Sequence, residues 1–201
     1  MTDFDRTDRT RVRRLPDRAH YDRETIYAIL DEALVCHVAF VQDGRPFVIP
    51  TLHARVDDAL LLHGAPASRL LKYIAAGGDV SVAATIADGL VLAKSVFHHS
   101  VNYRSVVLFG HGAPVEGDAA KLAALEAFTE KLLPGRWSEA RGPNAAELKA
   151  TAVIRIAIEE ASAKIRTGGP KDDPEDLALD VWAGVIPLTL VRGEPERSGQ
   201  G

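Results

Sequence analysis

The sequence is poor in cysteine, because Cys36 is the only one among its 201 residues. A single cysteine excludes an intrachain disulfide framework and any zinc site built from several cysteines. Long apolar runs are also missing, and none approaches the roughly 20 residues of a transmembrane helix. The charged N-terminal stretch lacks the apolar segment of a signal peptide. These absences predict a cytoplasmic protein with no membrane partner.

Basic residues are not in excess, since 24 lysines and arginines are set against 28 aspartates and glutamates, a formal net charge of −4. The one basic cluster, Arg11, Arg13 and Arg14, is offset by neighbouring aspartates. Nucleic-acid-binding surfaces need concentrated positive charge, so no nucleic-acid partner is predicted. A hydrophobic fraction of 46% is enough for a folded core. We predict one domain over residues 21–190, with a flexible arm at 1–20 and a flexible tail at 191–201.

Short β runs separated by turn dipeptides dominate the middle of the chain. The dipeptides Asp43-Gly44 and Asp88-Gly89 are typical of two-residue hairpin turns. Helices are predicted over 23–33 with Asp22 as the cap, over about 68–76, from a cap at Asp118, and from Asn144. The predicted strands are 35–41, 46–56, 60–63, 80–86, 90–97, 103–116, 153–158 and 161–166, followed by a C-terminal segment at 181–190.

Antiparallel strands joined by such short turns predict a mainly β fold, a closed or nearly closed β-barrel with peripheral helices. A doubly wound parallel sheet does not fit, because two-residue turns are too short for crossover connections. Pro50 lies inside a predicted strand and cannot donate a ladder hydrogen bond, which indicates a sheet edge or a bulge. His37 lies among buried-looking positions, and we predict a hydrogen-bonded core residue.

The densest group of cationic and hydroxyl side chains lies between two apolar β runs at 90–93 and 106–109. Burying such groups without partners would cost several kcal/mol each, so the cluster predicts an anionic ligand. Phosphate is the natural candidate for arginine, lysine and serine donors. Ser68 and Arg69 begin a predicted helix and add further donors. The members of the cluster are Lys94, Ser95, His98, His99, Ser100, Asn102, Tyr103, Arg104 and Ser105.

The remaining motifs limit the chemistry further. Gly110-His111-Gly112 lacks the third glycine and the following helix of a dinucleotide-binding turn. Without a nucleophile elbow, a P-loop or paired carboxylates, redox chemistry would have to come from a cofactor. His98 and His99 are adjacent and in a strand point to opposite faces, so no metal site is predicted. His63 ends a strand at a Gly-Ala-Pro break, which suits either a site residue at the barrel mouth or a hydrogen-bonded structural histidine.

Eight short motifs, taken together, are specific. They are CHV at 36–38, LHG at 62–64, SRL at 68–70, DGLVLA at 88–93, FHHS at 97–100, NYRSVV at 102–107, PGRW at 134–137 and VWAG at 181–184. Over residues 13–188 the chain resembles the flavin-nucleotide-binding proteins of the pyridoxamine 5′-phosphate oxidase-like split-barrel superfamily, in the branch that contains 5-nitroimidazole reductases.

The resemblance implies a split β-barrel of Greek-key-like topology that forms a homodimer, with FMN at the subunit interface. His63 is implied to lie near the flavin or the substrate as the catalytic residue. The implied cofactor-binding residues are Ile49, Pro50 and Thr51 beside the isoalloxazine, His63 and Gly64, Ser68 and Arg69 at the phosphate, Lys94, Ser95, Ser100, Tyr103, Arg104 and Ser105 as further contacts, and Trp182 from the partner subunit.

The resemblance also implies the function, an FMN-dependent, nitroreductase-like oxidoreductase that passes electrons to a small-molecule acceptor. The alternative is a non-catalytic flavin or haem carrier or sensor of the same fold, with His63 or His98 as the haem ligand. FAD or a deazaflavin is a further alternative to FMN. Pyridoxamine 5′-phosphate oxidases proper carry a C-terminal Arg-x-His that binds substrate. This chain has VWAGVIP at 181–187 instead, so oxidation of vitamin B6 is not predicted.

Overall fold

The computed structural model describes residues 3–199, and the chain divides into two compact units. Unit 1 contains the chain up to Ile86 together with Arg104–Ile165. Unit 2 contains Ala87–Tyr103 together with the chain after Ile165. The fold is mainly β, as predicted.

Eleven strands and five α-helices are present among the described residues. The strands are β1 (Ala19–His20), β2 (Val35–Gln42), β3 (Arg45–Leu52), β4 (Ala54–Val56), β5 (Ala59–Gly64), β6 (Val80–Leu92), β7 (Ser100–Gly110), β8 (Gly112–Pro114), β9 (Ala152–Ala157), β10 (Glu160–Arg166) and β11 (Gly184–Pro187). The helices are α1 (Arg23–Glu32), α2 (Arg69–Ala75), α3 (Asp118–Leu132), α4 (Arg136–Glu139) and α5 (Ala145–Lys149). Within residues 3–199, no helix combines the length and apolarity needed to cross a bilayer.

The strands form two sheets. The larger has the order β1-β10-β7-β6-β2-β3, with β11 paired to β6, and the smaller has the order β4-β5-β9-β8. The pairs β2–β3, β2–β6, β5–β9 and β6–β11 are antiparallel. Neither sheet closes on itself. The fold is therefore the split barrel that the resemblance implies, and a fully closed barrel is not formed.

The first helix and the first hairpin follow the sequence signals closely. The Asp22 side chain accepts a hydrogen bond from the backbone N–H of Thr25 at 2.8 Å and so caps α1. Strands β2 and β3 are joined by Asp43 and Gly44, which have φ angles of 52° and 72°. Positive φ at both turn residues matches the right-handed twist of the two strands, so the predicted hairpin is confirmed.

The strand predicted over 46–56 is two strands, interrupted at His53. Strand β3 ends at Leu52 at the edge of the larger sheet, and β4 begins at Ala54 in the smaller one. The His53 side chain is completely buried, and its Nε2 lies 2.8 Å from the carbonyl oxygen of Leu30 near the end of α1. The chain changes sheets here because the His53 side chain is anchored to α1, and His53 itself pairs with neither sheet.

The hairpin turn predicted at Asp88-Gly89 is wrong, since β6 runs unbroken through both residues. Gly89 is registered opposite Pro187 of β11, and the N–H of Leu188 donates to the Asp88 carbonyl oxygen at 3.1 Å. A Cβ on Gly89 would lie only 2.9 Å from Cγ1 of Val185. The glycine therefore permits the close approach of a C-terminal strand and does not form a turn.

Three other boundaries differ from the predictions. The strand predicted over 90–97 ends at Leu92, and Val96–His98 is a short 3-10 helix. The strand predicted over 103–116 breaks after Gly110 and continues as the short strand β8. A Cβ on Gly112 would lie 2.8 Å from Cγ2 of Ile154, so the glycine allows β8 to approach β9 closely. Helix α3 is preceded by Gly117 at the cap position, and Asp118 is its first residue, which still places a carboxylate in the first turn.

The main core of unit 1 includes Ile26 and Leu30 of α1 and Ile74 of α2. Phe4 also belongs to this core, and its N–H donates to the Tyr21 carbonyl oxygen at 2.8 Å. Part of the N-terminal arm is thus packed. Residues 1–2 of the predicted flexible arm and 200–201 of the predicted tail lie outside the described residues, and the flexibility of both segments stays a prediction.

Candidate functional site

Arg69 begins α2 and has no acidic partner among the described residues. Its Cζ lies 4.5 Å from the centre of the Phe47 ring, and Phe47 stacks on Phe40 with ring centroids 5.3 Å apart. The aromatic pair orients the guanidinium without neutralising its charge. A guanidinium held in this way can bind a phosphate through two parallel hydrogen bonds. The predicted phosphate contact at Arg69 fits this geometry.

Two open grooves share Gln42 and Arg69 as lining residues. The Gln42 side chain has its Oε1 buried with no hydrogen-bond partner among the described residues. The first groove, of about 580 Å³, is lined by Gln42, Asp43, Arg45, Pro46, Phe47 and Arg69. The second, of about 420 Å³, is lined by Gln42, Ala67, Arg69, Lys72, Tyr73 and Ala76. Grooves of this size are large enough for part of a nucleotide.

Arg104, the other arginine predicted to contact the phosphate, is already paired. Its guanidinium donates two hydrogen bonds to the carboxylate of Glu32, one of them at 2.8 Å. A phosphate at Arg104 would have to displace this carboxylate. Arg69 is therefore the better placed of the two arginines for an incoming anion.

The serine hydroxyls predicted in unit 1 also have partners. The Ser68 hydroxyl oxygen accepts a hydrogen bond from the N–H of Leu71 at 3.5 Å and caps α2. The Ser105 hydroxyl donates to the carbonyl oxygen of Lys164 at 3.2 Å, which ties β7 to β10. Both hydroxyls support local structure, and their role as phosphate contacts stays a prediction.

Ile49, Pro50 and Thr51 lie on β3, the edge strand of the larger sheet. Pro50 is exposed and is registered opposite His37 of β2. The Thr51 hydroxyl donates to the carbonyl oxygen of Leu52 at 3.3 Å. The edge position that Pro50 indicated is confirmed, and an edge strand leaves one flank available to a flat ligand.

The predicted core position of His37 is wrong, because its side chain is exposed. Alternation along β2 directs Cys36, Val38 and Phe40 into the core and turns His37 to the opposite face. The buried histidine of this region is His53.

His63 lies near the end of β5, is followed by Gly64, and is half-buried. Its ring packs edge-on against Phe128 of α3, with centroids 4.4 Å apart. Burial lowers the pKa of His63, so its imidazole is neutral at pH 7. No hydrogen bond to this ring is found within residues 3–199. A neutral imidazole with an unused lone pair can accept a proton or bind a metal ion.

In unit 2, the side chains of Lys94 and Ser95 support local structure. The Lys94 ammonium donates to the carbonyl oxygen of Leu179, and the Lys94 backbone N–H donates to the carboxylate of Asp172 at 2.6 Å. The Ser95 hydroxyl accepts from the N–H of Phe97 at 3.3 Å, at the start of the 3-10 helix. These contacts hold the acidic loop of unit 2 and give Lys94 a structural role.

Ser100, Tyr103 and Trp182 are the other predicted site residues of unit 2. Ser100 and Tyr103 are half-buried on β7. Trp182 is 61% exposed, and its ring lies beside Gly184, where an added Cβ would be 3.1 Å from Cζ2. An indole this exposed is available to a partner, as its predicted role requires.

The adjacent residues His98 and His99 have different partners, both in unit 2. The Nε2 of His98 lies 3.0 Å from the Asp173 carboxylate, which raises the pKa of His98. The Nε2 of His99 lies 3.2 Å from the Ala93 carbonyl oxygen. Within residues 3–199, no three histidine, cysteine, aspartate or glutamate side chains are grouped as metal ligands.

The buried His53 and the half-buried Lys131 form a cluster that the sequence did not predict. The Nζ of Lys131 lies 2.8 Å from the Leu30 carbonyl oxygen and 3.1 Å from Nε2 of His53. Burial, together with the neighbouring ammonium, lowers the pKa of His53 to about 4, and burial lowers that of Lys131 to about 8. No sequence signal could have found the pair, because 78 residues separate its members.

Comparisons with known proteins agree with this fold. A family model for pyridoxamine 5′-phosphate oxidase matches residues 22–165. The solved structure of the flavocytochrome Anf3 from Azotobacter vinelandii is 42% identical and has a TM-score of 0.89, covering 96% of this chain and 89% of that one. The FAD and haem binding protein from Mycobacterium smegmatis is 38% identical with a TM-score of 0.86, covering 90% and 89%.

A more distant structure shares the fold alone. It is described as a 5-nitroimidazole antibiotic resistance protein from Bacteroides thetaiotaomicron, with 18% identity and a TM-score of 0.62 over 73% of this chain and 86% of that one. No curated protein matches the sequence significantly. The family match covers well over half of the chain, and the two similar structures extend across nearly all of it. The predicted family is thus confirmed: this chain belongs to the pyridoxamine 5′-phosphate oxidase-like split-barrel family.

Proposed function

We propose that this protein is a flavin-dependent oxidoreductase that binds FAD together with haem and delivers electrons to a small-molecule acceptor. One observation carries the proposal, namely 42% and 38% identity over at least 90% of the chain to a flavocytochrome and to an FAD and haem binding protein. The likeness to the nitroimidazole resistance protein is too distant to specify the acceptor. FAD replaces FMN as the favoured cofactor for the same reason.

The residues of unit 1 fit a flavin nucleotide. Arg69 offers a guanidinium that no carboxylate neutralises among the described residues, which is what a phosphate requires. The open edge at Ile49–Thr51 offers a flat backbone surface for the ring system. His63 offers a neutral imidazole for haem iron. When bound, flavin and haem supply two-electron and one-electron transfer respectively.

The chain's own groups act by binding and positioning. Arg69 is pre-oriented by Phe47, so little side-chain entropy is lost when an anion binds. Phe128 packs edge-on against the His63 ring and so restricts its rotation. Burial lowers the pKa of His63 and so favours the uncharged ring.

A homodimer is part of the proposal, because one face of the β2–β3 hairpin exposes apolar side chains. Val35, Val41 and Val48 are 46%, 58% and 61% exposed. Ala39 is registered opposite Val48, and Val41 opposite Pro46, so these residues share a face. A two-fold axis would bury such a face against its own copy. Light scattering on the purified protein should give twice the chain mass.

The test of the proposed function is the visible spectrum of the purified full chain, followed by release and identification of the cofactors. A flavin doublet and a Soret band are expected together, with FAD in the acid extract and haem in a pyridine haemochrome assay. A colourless protein that takes up neither group would refute the proposal. Flavin without haem would leave the flavoprotein part standing and refute the haem part.

Replacing Arg69 by glutamine should weaken flavin binding by roughly 1.5–3 kcal/mol, the usual contribution of a hydrogen bond to a charged group. The substitution keeps hydrogen-bonding capacity and removes the charge. The dissociation constant is measured by quenching of flavin fluorescence. Arg136→Gln is the matched control, because Arg136 is exposed and pairs with Glu139 on its own helix. If both variants bind flavin with equal affinity, Arg69 does not contact the phosphate.

A further inference from the structure

We propose that a cavity of unit 1 binds a small carboxylate with an apolar body, a ligand that is neither the flavin nor the haem of the proposed function. The cavity has a volume of about 320 Å³, at the lower end of the range for ligand pockets. Its lining residues come from α2, the end of β8, the first turn of α3, the end of α5 and the start of β9. We call it the lysine cavity, because Lys72, Lys121 and Lys149 line it.

The inner wall of the lysine cavity is apolar. Leu71 and Ile154 belong to the main core of unit 1, and Val153 belongs to a second buried cluster together with Phe128. Val115 is partly buried and packs against this second cluster. Covering such a wall with apolar groups is favourable because it removes apolar surface from water. A fully polar anion, such as inorganic phosphate, would leave the wall hydrated. A ligand that fills the cavity therefore needs an apolar body.

The charged residues of the lysine cavity are mainly positive. The three lysines are accompanied by one acidic residue, Glu116. Lys72, Lys149 and Glu116 are exposed, and they form no ion pair in the part of the chain that the structure describes. The excess of positive charge attracts an anion. Arginine is the residue whose forked donors match a phosphate, and none is found among the described residues that line this cavity. The donor set therefore favours a carboxylate.

Lys121 is the anchor for this carboxylate. Its side chain is half-buried, and its Nζ donates to the carbonyl oxygen of Thr151 at 3.1 Å. An ammonium group has three N–H donors, so two remain for a ligand. The bond to Thr151 holds the ammonium beside the start of β9, where Val153 and Ile154 form part of the apolar wall. A carboxylate bound to Lys121 can thus place its apolar body against that wall.

Three residues separate the lysine cavity from the candidate flavin site. Lys72 lines both this cavity and the 420 Å³ groove beside Arg69, so its substitution would not distinguish the two. Lys121, Lys149 and Glu116 line the lysine cavity and neither of the two grooves at Arg69. Substitutions at these three residues test the proposal independently of flavin binding.

The experiment titrates the isotope-labelled full chain with hexanoate and follows the backbone amide signals by NMR. Hexanoate combines a carboxylate with an apolar body and is small enough for a cavity whose volume equals about ten water molecules. The amide signals of Val115, Thr151 and Val153 should shift and reach saturation. Acetate supplies the carboxylate without the body, and 1-hexanol supplies the body without the charge. Each should bind at least about fivefold more weakly than hexanoate.

The variant Lys121→Gln should bind hexanoate about tenfold more weakly, because a hydrogen bond to a charged group is lost, while glutamine keeps an N–H for the Thr151 carbonyl oxygen. Lys149→Gln should weaken binding roughly two- to fivefold, and Glu116→Gln should strengthen it by a similar factor, since exposed charges contribute less. Lys171→Gln is the matched control, because Lys171 is an exposed lysine of unit 2. It should leave the affinity unchanged.

Equal affinities for hexanoate and 1-hexanol would overturn the proposal, as would hexanoate that shifts amide signals only elsewhere in the chain. Hexyl phosphate that binds more tightly than hexanoate would overturn the choice of a carboxylate. The Lys121→Gln protein should contain as much flavin as the wild type. If it loses flavin together with hexanoate binding, the cavity belongs to the flavin site and the inference is wrong. A wild-type protein that binds hexanoate and no flavin would refute the proposed function and support this inference.

Discussion

The variant His63→Ala should keep its flavin, and its haem content should fall more than about tenfold. Removing a metal ligand should cost at least as much affinity as removing a residue that orients a ligand. The reason lies in the state of the His63 ring. It is half-buried against Phe128, has no hydrogen-bond partner within residues 3–199, and is kept neutral by burial, which lowers its pKa. Arg69 is unchanged in this variant and should retain the flavin phosphate.

The measurement is haem content by pyridine haemochrome and flavin content by acid release, each relative to protein. His111→Ala is the control, because His111 has 65% of its side chain exposed. His98→Ala discriminates the alternative ligand, whose Nε2 is occupied by Asp173. If the His63 variant retains haem and the His98 variant loses it, the haem ligand is His98 and not His63.

Acid should destabilise the protein through His53, by about 3 kcal/mol between pH 6.5 and pH 4. The pKa of His53 is lowered from 6.5 to about 4, and a tenfold change in proton affinity corresponds to about 1.4 kcal/mol. In this pH window the unfolded chain binds a proton at His53 that the folded chain does not. Unfolding therefore takes up a proton, and its free energy falls as the pH falls.

The structural cause is that the described residues offer no hydrogen-bond acceptor for a second proton on the His53 ring. The Nε2 of His53 is next to the Leu30 carbonyl and the Lys131 ammonium, and its Nδ1 is buried without a partner. A protonated ring would bury an unpaired charge beside a like charge.

Urea unfolding at a series of pH values measures the effect. The variant His53→Gln has no titrating ring at this position and keeps an amide that can donate to the Leu30 carbonyl oxygen. Between pH 6.5 and pH 4, its free energy of unfolding should fall by about 3 kcal/mol less than that of the wild type. His111→Gln is the control, since 65% of the His111 side chain is exposed, and this variant should show the wild-type profile. Parallel profiles for the wild type and the His53 variant would show that the residue does not titrate differently on folding.

Local signals predicted the elements whose contacts are local. The Asp22 cap and the Asp43-Gly44 turn are formed by residues within three or four positions of each other, and both were found as predicted. The capping box of Asn144 and Glu147 is of the same kind. At each of these positions the preferred backbone conformation and the hydrogen bond depend on neighbours in the sequence.

Prediction failed where a residue's conformation depends on a distant partner. The Asp88-Gly89 dipeptide has the composition of a turn, but β11 lies almost a hundred residues away and pairs through it. His37 and His53 both stand in apolar surroundings, and only the break between β3 and β4 decides that His53 is the buried one. The candidate site is similar, because Arg69 could be chosen from the sequence and Lys72 and Gln42 could not.

The order of amino acids alone determined the family, the β-rich composition, the first helix and hairpin, and the choice of Arg69 and His63 as candidates. Tertiary structure decided which arginine is paired with a carboxylate, which histidine is buried, and which side chains share a groove. The division has a physical reason. Capping, turn geometry and strand alternation are set within a few residues, whereas burial and charge neutralisation depend on which distant segments pack together.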